Sequence, residues 1–588
     1  MTDIKFPPHS WEDLVGILTH VAGMFTLAEF LLAAICVLLA FAVPRLGSRG
    51  YERIERRLAA LANNPTRQIL AVGLLAIAAR AAILPWVGAP VPIVFDEQSI
   101  VLQAQTLAAG RLSNPTHPLW EHFETFYVNQ IPAYASMYFP GRGAPLAAGL
   151  LVADHAWVGV WLSVVLMCMA AVWMLQGWVS LPMALLGGVL VVARLGVFSF
   201  WINSYYGGAF TALGAMLVFG ALPRILREPW WRHGALMGLG AVILMTTRPY
   251  EGALVCLPVA LVLLAHLVKP AWQAGRLAFL KVALPATLLV GAGGALLVAY
   301  NLATTGDSFK TAYDLQRETY ASAPAFLISP PIKSENRGPE YFRTYYTVEA
   351  SYYHHRDSPI QLVRSVLGKL FHTWNFYIGA TFTITFLAGL WSSRRDYFLL
   401  GTLVFFSAGY CLVTWNFPQY TAPLYPVLLI FIMRGLQWLR TYEVSGRPVG
   451  LFLSRAIPTA AIALLVLPIT SLAFGTLSMQ SGSPHAVCCT TSYYDLRLRV
   501  VRQLTTSPGR HLVLVKDGPQ NPVTYEMVYN DADIDNSEVV WAHRLSEEKD
   551  LRLQNYFAER RVWEFEWRPE TGQGYVLRPL NPVELQQQ

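Results

Sequence analysis

QILAVGLLAIAARAAILPWV, residues 68–87, carries a single charge in twenty positions, and six residues later the chain reads VFDEQS, residues 94–99. An α-helix rises about 1.5 Å per residue, so about 20 apolar residues cross the hydrocarbon core of a bilayer. The first stretch is therefore read as a membrane span, and the second places Asp96 and Glu97 just beyond its end. Carboxylates beside a bilayer are costly unless they are hydrated, paired or used. Two readings follow: a functional acidic pair at the mouth of a helix bundle, or acids favoured in a first helical turn by the macrodipole.

The same reading extends along the 588 residues, which are 54% hydrophobic, 13% aromatic and only 14% charged, with a mean hydropathy of +0.39. A soluble globular domain carries far more charge. Apolar runs recur at 24–43, 68–87, 156–176, 180–200, 208–223, 234–247, 250–268, 282–300, 373–391, 397–415, 421–439 and 456–476. The expected fold class is a polytopic α-helical membrane protein of about twelve crossings with a small extracytoplasmic C-terminal α/β domain. The arm 234–247 is short for a span, and Arg248-Pro249-Tyr250-Glu251-Gly252 interrupts the run there; it is read as a hairpin.

The net charge of +7 comes from arginines and lysines dealt out among alternate connections: 45–67, 224–232, 269–281, 394–395 and 440–455. That spread excludes a nucleic-acid surface, and the positive-inside bias predicts that these connections are cytoplasmic. Both termini and the long segments 88–155 and 301–372 are then extracytoplasmic, and the acidic pair with them. The first apolar run begins more than 20 residues in, without a basic leader, and is expected to stay as an anchor. Residues 50–63 alternate basic and apolar faces at helical spacing, as an interfacial helix on an anionic leaflet does. Cys36, Cys168, Cys256 and Cys411 fall in spans and are expected to pack as small apolar groups, whereas Cys488 and Cys489 are read as free or strained thiols at a domain boundary. The expected organisation is an anchor and interfacial helix over 1–67, a transmembrane module over 68–480 and a soluble α/β domain over 486–588. In that last domain 511–515, 539–541 and 562–565 read as strands and 547–557 as a helix.

Asp96 and Glu97 should open a short helix, with Ile100–Ala109 continuing the pattern until Gly110 and Pro115 break it. The rest of the first long segment carries His117, Trp120, Glu121, His122, Glu124, Tyr127, Tyr134 and Tyr138 and closes on Phe139-Pro140-Gly141-Arg142-Gly143-Ala144-Pro145. Rings interspersed with carboxylates and imidazoles suit a sugar, whose C–H faces stack while its hydroxyls need fixed partners. An interfacial aromatic belt is the plainer use of the same residues. Asp531, Asp533 and Asp535 lack the spacing of a calcium loop, and no metal-ligand spacing stands out elsewhere.

An N-terminal hydrophobic module, the Asp96-Glu97 pair opening a large outer segment, a Pro-Gly element closing it and a polar C-terminal domain together resemble the GT-C membrane glycosyltransferases. Within them the chain is most similar to the family 39 type, the bacterial relatives of protein O-mannosyltransferases and aminoarabinose transferases. It departs from them in an extra span before residue 45 and in its C-terminal domain. The resemblance implies transfer of a sugar from a polyprenyl-phosphate carrier in the inner membrane to a glycan, lipid or protein acceptor. It implies an inverting displacement without a metal, or one assisted by a divalent cation such as Mg or Mn.

The residues permit that chemistry on their own terms. Asp96 is the expected general base, with Glu97 orienting it or the acceptor. The leaving phosphate needs cationic support where water is scarce, and Arg248 at the end of a span, with Arg142, is the expected donor-phosphate contact. An internal ion pair of Arg248 with Glu251 is the competing use. His117, Glu121, Glu124, Asn203, Tyr205, Tyr206, Glu251, Gln419 and Tyr420 are the expected substrate contacts. Arg80 and Arg194, deeper in apolar runs, are expected to pair structurally with carbonyls or carboxylates. The alternative class is a transporter or lipid-linked glycan flippase; such proteins show internal repeats, and no convincing repeat is found. A non-catalytic protein on the same scaffold is a third reading.

Overall fold

A computed structural model describes residues 21–267, 276–335, 337–473, 496–517, 526–568, 571 and 574–580. Cys488 and Cys489 lie outside them. The chain divides into two compact units, one of Met1–Pro90, Val160–Gly294 and Val363–Ser492, the other of Val91–Gly159, Ala295–Leu362 and Tyr493–Gln588.

The protein is a polytopic helical membrane protein. Among the described residues eight helices are long and apolar enough to cross a bilayer: Phe25–Ala42, Pro65–Val87, Ala156–Leu175, Gly208–Arg227, Pro249–His266, Leu280–Thr305, Ala422–Leu439 and Val449–Thr470. The other apolar runs are shorter helices. The 180–200 run forms Leu181–Val191 and then passes into a π-turn over Val192–Gly196, 234–247 forms Trp231–Thr247, and 397–415 ends at Cys411. The 373–391 run is split at Ile378 into Pro359–Tyr377 and Gly379–Ser392. Leu38, Leu74, Leu284 and Leu288 each leave more than 60% of their surface uncovered, which suits side chains that face lipid.

Inside the helical unit the packing is close because small residues let backbones approach. A methyl group on Gly435 would collide with the Thr385 carbonyl oxygen, and one on Gly389 with that of Phe431, so helices Gly379–Ser392 and Tyr425–Leu439 meet through paired glycines. Gly435→Leu is expected to force these helices apart and to lower the melting temperature in detergent by several degrees, an overpacking penalty of about 1–3 kcal/mol. An unchanged melting temperature would mean that the contact is not tight.

The second unit combines a three-stranded antiparallel patch, in which Ala133–Ser136 pairs with Asn114–Pro115 and with Val128–Asn129, and a four-stranded sheet. In that sheet His511–Lys516 lies between Val539–His543 and Arg561–Trp567, both parallel to it, and Tyr575–Pro579 adds an antiparallel edge. The strand at the centre is apolar on both faces, as a covered parallel strand must be. Helices Leu496–Thr505 and Glu547–Tyr556 accompany it. Leu496, Val500 and Leu504 recur on one helical face and pack with Val513, Val515, Trp541 and Phe565.

A buried polar junction joins this sheet to the first long segment within the same unit. His543 donates from Nδ1 to Asp517 at 2.9 Å and from Nε2 to the Glu124 carbonyl at 2.8 Å, while His122 Nδ1 donates to the His543 carbonyl at 2.8 Å. Burial alone would lower the His543 pKa, but the carboxylates of Asp517 and Glu526 outweigh it and push it up to about 9. A histidine raised in the fold contributes stability fully below its unfolded value near 6.5 and loses it as the pH climbs through about 9. Melting temperature in detergent is therefore expected to fall between pH 7 and 9.5, by a contribution of roughly 3 kcal/mol. His543→Gln should flatten that fall, and an equally steep fall in the variant would assign the transition elsewhere.

Candidate active site

The two units bring together different sets of the expected residues. In the second unit, the predicted helix after the span is present as Phe95–Ala108, with Asp96 and Glu97 in its first turn. Glu97 is buried, and its carboxylate accepts from the backbone N–H of Ile93 at 2.9 Å and of Val94 at 3.4 Å. It closes the helix start, which otherwise leaves its first N–H groups without intrahelical partners. Phe95 anchors the same turn, its ring 5.1 Å from each of the rings of Phe126, Tyr127 and Tyr345.

Between these two anchored residues Asp96 is half-buried, and the Tyr138 hydroxyl donates to its Oδ1. The Arg142 guanidinium stacks 4.2 Å from the centre of the Tyr138 ring, a cation–π contact that holds the arginine beside that tyrosine. Gln103, two turns along the helix, fixes the loop that carries both: its amide donates to the Tyr138 carbonyl at 2.6 Å and its oxygen accepts from Gly143 N–H at 2.8 Å. The spacing of Asp96 and Gln103 puts them on one helical face, so a single helix orders the acid and its partners.

Tyr127 lies behind the pair in the left-handed region, φ 61°, a conformation unfavourable for a bulky residue. Ser99 donates to its carbonyl at 2.7 Å, and its hydroxyl lies 2.6 Å from that of Tyr345 and 3.3 Å from Glu349 Oε1. Glu349 in turn accepts from Arg317 at 2.9 Å. Burial first, then the neighbouring carboxylates Glu349 and Asp96, push the Tyr127 and Tyr345 phenols well above their usual range. Both therefore stay protonated, and Tyr127 donates to Glu349. Tyr127 and Tyr138 belong to the aromatic set read in the first long segment, whereas nothing in the sequence singles out Tyr345 or Glu349.

The other expected residues of this unit tie it together. His117 accepts at Nδ1 from Leu119 N–H at 3.0 Å, which leaves its Nε2 proton for Asp535 at 3.2 Å. Glu121 pairs at 2.5 Å with Lys549 at the surface. Buried Glu124 accepts from Tyr320 at 2.9 Å and Arg337 at 3.0 Å; burial raises its pKa against the pull of these donors.

In the helical unit, Arg248 stands between helices Trp231–Thr247 and Pro249–Leu267 with non-helical backbone, φ −146° and ψ 79°. Its guanidinium covers the Tyr420 ring at 3.7 Å and lies 3.6 Å from Glu251, so the expected pairing with Glu251 is present alongside a cation–π contact. Tyr206 stacks on Phe417 and Phe417 on Tyr420, each 6.4 Å apart, so that the segments 203–208, 248–251 and 417–421 converge. Asn203 donates to the Phe198 carbonyl at 3.0 Å, and Tyr205 donates to the Pro90 carbonyl at 2.7 Å. Asn203 Oδ1, Ser204 Oγ and Gln419 Oε1 are buried without a hydrogen-bond partner among the described residues. Buried polar atoms of this kind cost about 1–3 kcal/mol each unless something satisfies them.

Arg194 and Arg80 have structural partners, as expected. Arg194 meets Glu29 at 2.7 Å and donates to the carbonyls of Phe376 and Asn375 at 2.9 and 2.8 Å, and Arg80 donates to the Val197 carbonyl at 2.8 Å. Among the described residues no group of three or more His, Cys, Asp or Glu side chains is disposed to hold a metal ion. Asp531 accepts from Gln105, Asp533 from Asn536, and Asp535 from both His117 and Tyr556.

No protein-family model matches the chain. No curated protein matches it either. Among solved structures it is similar to ArnT from Cupriavidus metallidurans in the apo state, with 12% identity over 87% of this chain and 98% of that one at a TM-score of 0.44. The same protein bound to undecaprenyl phosphate gives 13% identity, 87% and 97% coverage and a TM-score of 0.44. The Archaeoglobus fulgidus oligosaccharyltransferase in complex with Zn and sulfate gives 8% identity over 76% of this chain and 60% of that one, with a TM-score of 0.42. At such scores the chemistry has to be read from the residues of this chain.

Proposed function

We propose that the protein is a membrane glycosyltransferase that moves a sugar from a polyprenyl-phosphate carrier to an acceptor at the extracytoplasmic face of the inner membrane. The observation that carries this is Asp96, a half-buried carboxylate in an anchored first turn, held by the Tyr138 hydroxyl with Arg142 stacked on the same ring. A carboxylate so fixed is suited to take a proton. In the reaction, the acceptor O–H gives its proton to Asp96, the acceptor oxygen bonds to the anomeric carbon, and the bond from that carbon to the phosphate oxygen breaks with its electron pair leaving on the phosphate. In the helical unit Arg248, buried against Tyr420 and Glu251, and in the second unit Arg142, on the Tyr138 ring, are the cations assigned to a donor phosphate. Asn203 and Gln419 offer buried acceptors, and Ser204 a donor, for sugar hydroxyls. Glu97 acts through Asp96 by holding the helix start. Sugar identity as hexose or pentose, and a divalent cation as assistant, are open to the same assay.

The test is transfer from radiolabelled polyprenyl-phosphate sugars by the full chain in proteoliposomes. Arg248→Gln is expected to lower turnover by about 10²–10³-fold, the loss found when one anion-stabilising donor is removed, with Arg248→Lys in between. Equal product from Arg248→Gln and wild type would remove the arginine from this role. Movement of a solute across the liposome with no covalent product would overturn the enzyme and favour a transporter.

A further inference from the structure

We propose that the helical unit carries a binding site for an anionic phospholipid, built where two spans end. Helix Ser48–Ala62 is separated by five residues from the helix ending at Ala42 and by two from the span starting at Pro65. Tethers this short keep it at headgroup depth, since both neighbours must enter hydrocarbon. It is also docked in a fixed orientation: Tyr51 bonds Thr459 at 3.2 Å, and Glu55 accepts from Arg440 at 2.9 Å and Arg455 at 2.9 Å. That docking consumes Glu55 and leaves Arg49, Arg53, Arg56 and Arg57 exposed beside Ile54 and Leu58, which are 56% and 47% exposed. An exposed apolar row flanked by arginines is what an acyl boundary and an anionic surface together complement.

Next to this helix a cavity of about 460 Å³ is lined by residues 43–46 and by Gly446, Arg447 and Pro448, so that Arg45 and Arg447 both border it. Arg447 donates to the Ala42 carbonyl at 3.1 Å, at the very end of one span and two residues before the next begins at Val449. The cavity therefore sits at the level of lipid phosphates, and two guanidiniums with an apolar rim of Val43 and Leu46 match one phosphate and the start of its acyl chains. Lipid, and not free phosphate, is the occupant because apolar surface accompanies the charge on both the cavity and the helix.

The experiment is native mass spectrometry of the detergent-released full chain, titrated with phosphatidylglycerol, phosphatidylcholine or inorganic phosphate. Phosphatidylglycerol is expected to bind, phosphatidylcholine to bind at least ten-fold more weakly, and millimolar phosphate not to compete. Arg45→Gln with Arg447→Gln should weaken phosphatidylglycerol binding about 25-fold, roughly five-fold per arginine, the factor that about 1 kcal/mol per basic residue near an anionic surface represents. Arg45→Lys with Arg447→Lys should stay within about three-fold of wild type. If the glutamine pair melts early, Arg53→Gln with Arg57→Gln carries the same expectation of weakening. Equal affinity for the two lipids, or unaltered binding in the glutamine variants, would overturn the site.

Discussion

Asp96→Asn is expected to lower the turnover of sugar transfer by about 10²–10⁴-fold, the range a positioned general base supplies, while the protein melts as the wild type does. The amide matches the carboxylate in shape and can still accept from Tyr138, so the substitution removes proton affinity and little else. Tyr138→Phe separates base from positioning. It keeps the ring under Arg142 but deletes the hydroxyl that fixes Asp96. Turnover should fall about ten-fold with KM nearly unchanged, because the acid is misaligned and not lost. A KM effect alone would make Tyr138 a binding residue. Product at the wild-type rate from Asp96→Asn would end the assignment of the base.

Glu29→Leu is expected to be the most destabilising single change in the helical unit. It strands Arg194, which is buried with Glu29 at 2.7 Å and bonded to two carbonyls at the break between helices Pro359–Tyr377 and Gly379–Ser392. Removing one partner of a buried pair typically costs about 3–5 kcal/mol, because the remaining charge has no compensation. Replacing both, Glu29→Leu with Arg194→Leu, should recover most of that loss. Denaturant titration of the purified protein distinguishes the cases, and a double variant no better than the single would show that the two side chains are not coupled. Gly379 sets the geometry of the pair: its φ is 62°, and a side chain there would strike both Glu29 and Arg194.

What could be read in advance follows from the range of the forces involved. Hydropathy and turn residues act locally, so the membrane class, the helix opening at Asp96 and the strands near 511, 539 and 562 were visible in sequence, the last as Arg561–Trp567. The break in the 373–391 run was not visible, because nothing local in it outweighs its apolar pattern; Gly379 bends there to make room for an ion pair whose acid lies at residue 29. Helix Leu496–Thr505 was missed because only every third or fourth residue is apolar in a short, basic stretch, and strand Tyr575–Pro579 because it is a brief edge. Among the candidate residues, Asp96 and Arg142 in one unit and Arg248 in the other stand out in sequence as charges in improbable places. Tyr127 and Tyr138 stand out only as members of an aromatic set, and Tyr345 and Glu349 not at all, since their partners lie tens to hundreds of positions away. His117 and Glu124 look from sequence like sugar contacts, and in the fold they bond Asp535, Tyr320 and Arg337.

The junction at His543 has a consequence for biogenesis. The carbonyl of Glu124 is held by a ring 419 positions further along, and the hydroxyl of Tyr134 by a backbone oxygen 396 positions away. While the ribosome is still making the middle of the chain, the segment that bears Asp96 lacks these late-arriving braces. A polypeptide that stops before residue 530 therefore leaves this segment without two of the bonds that fix it in the finished fold.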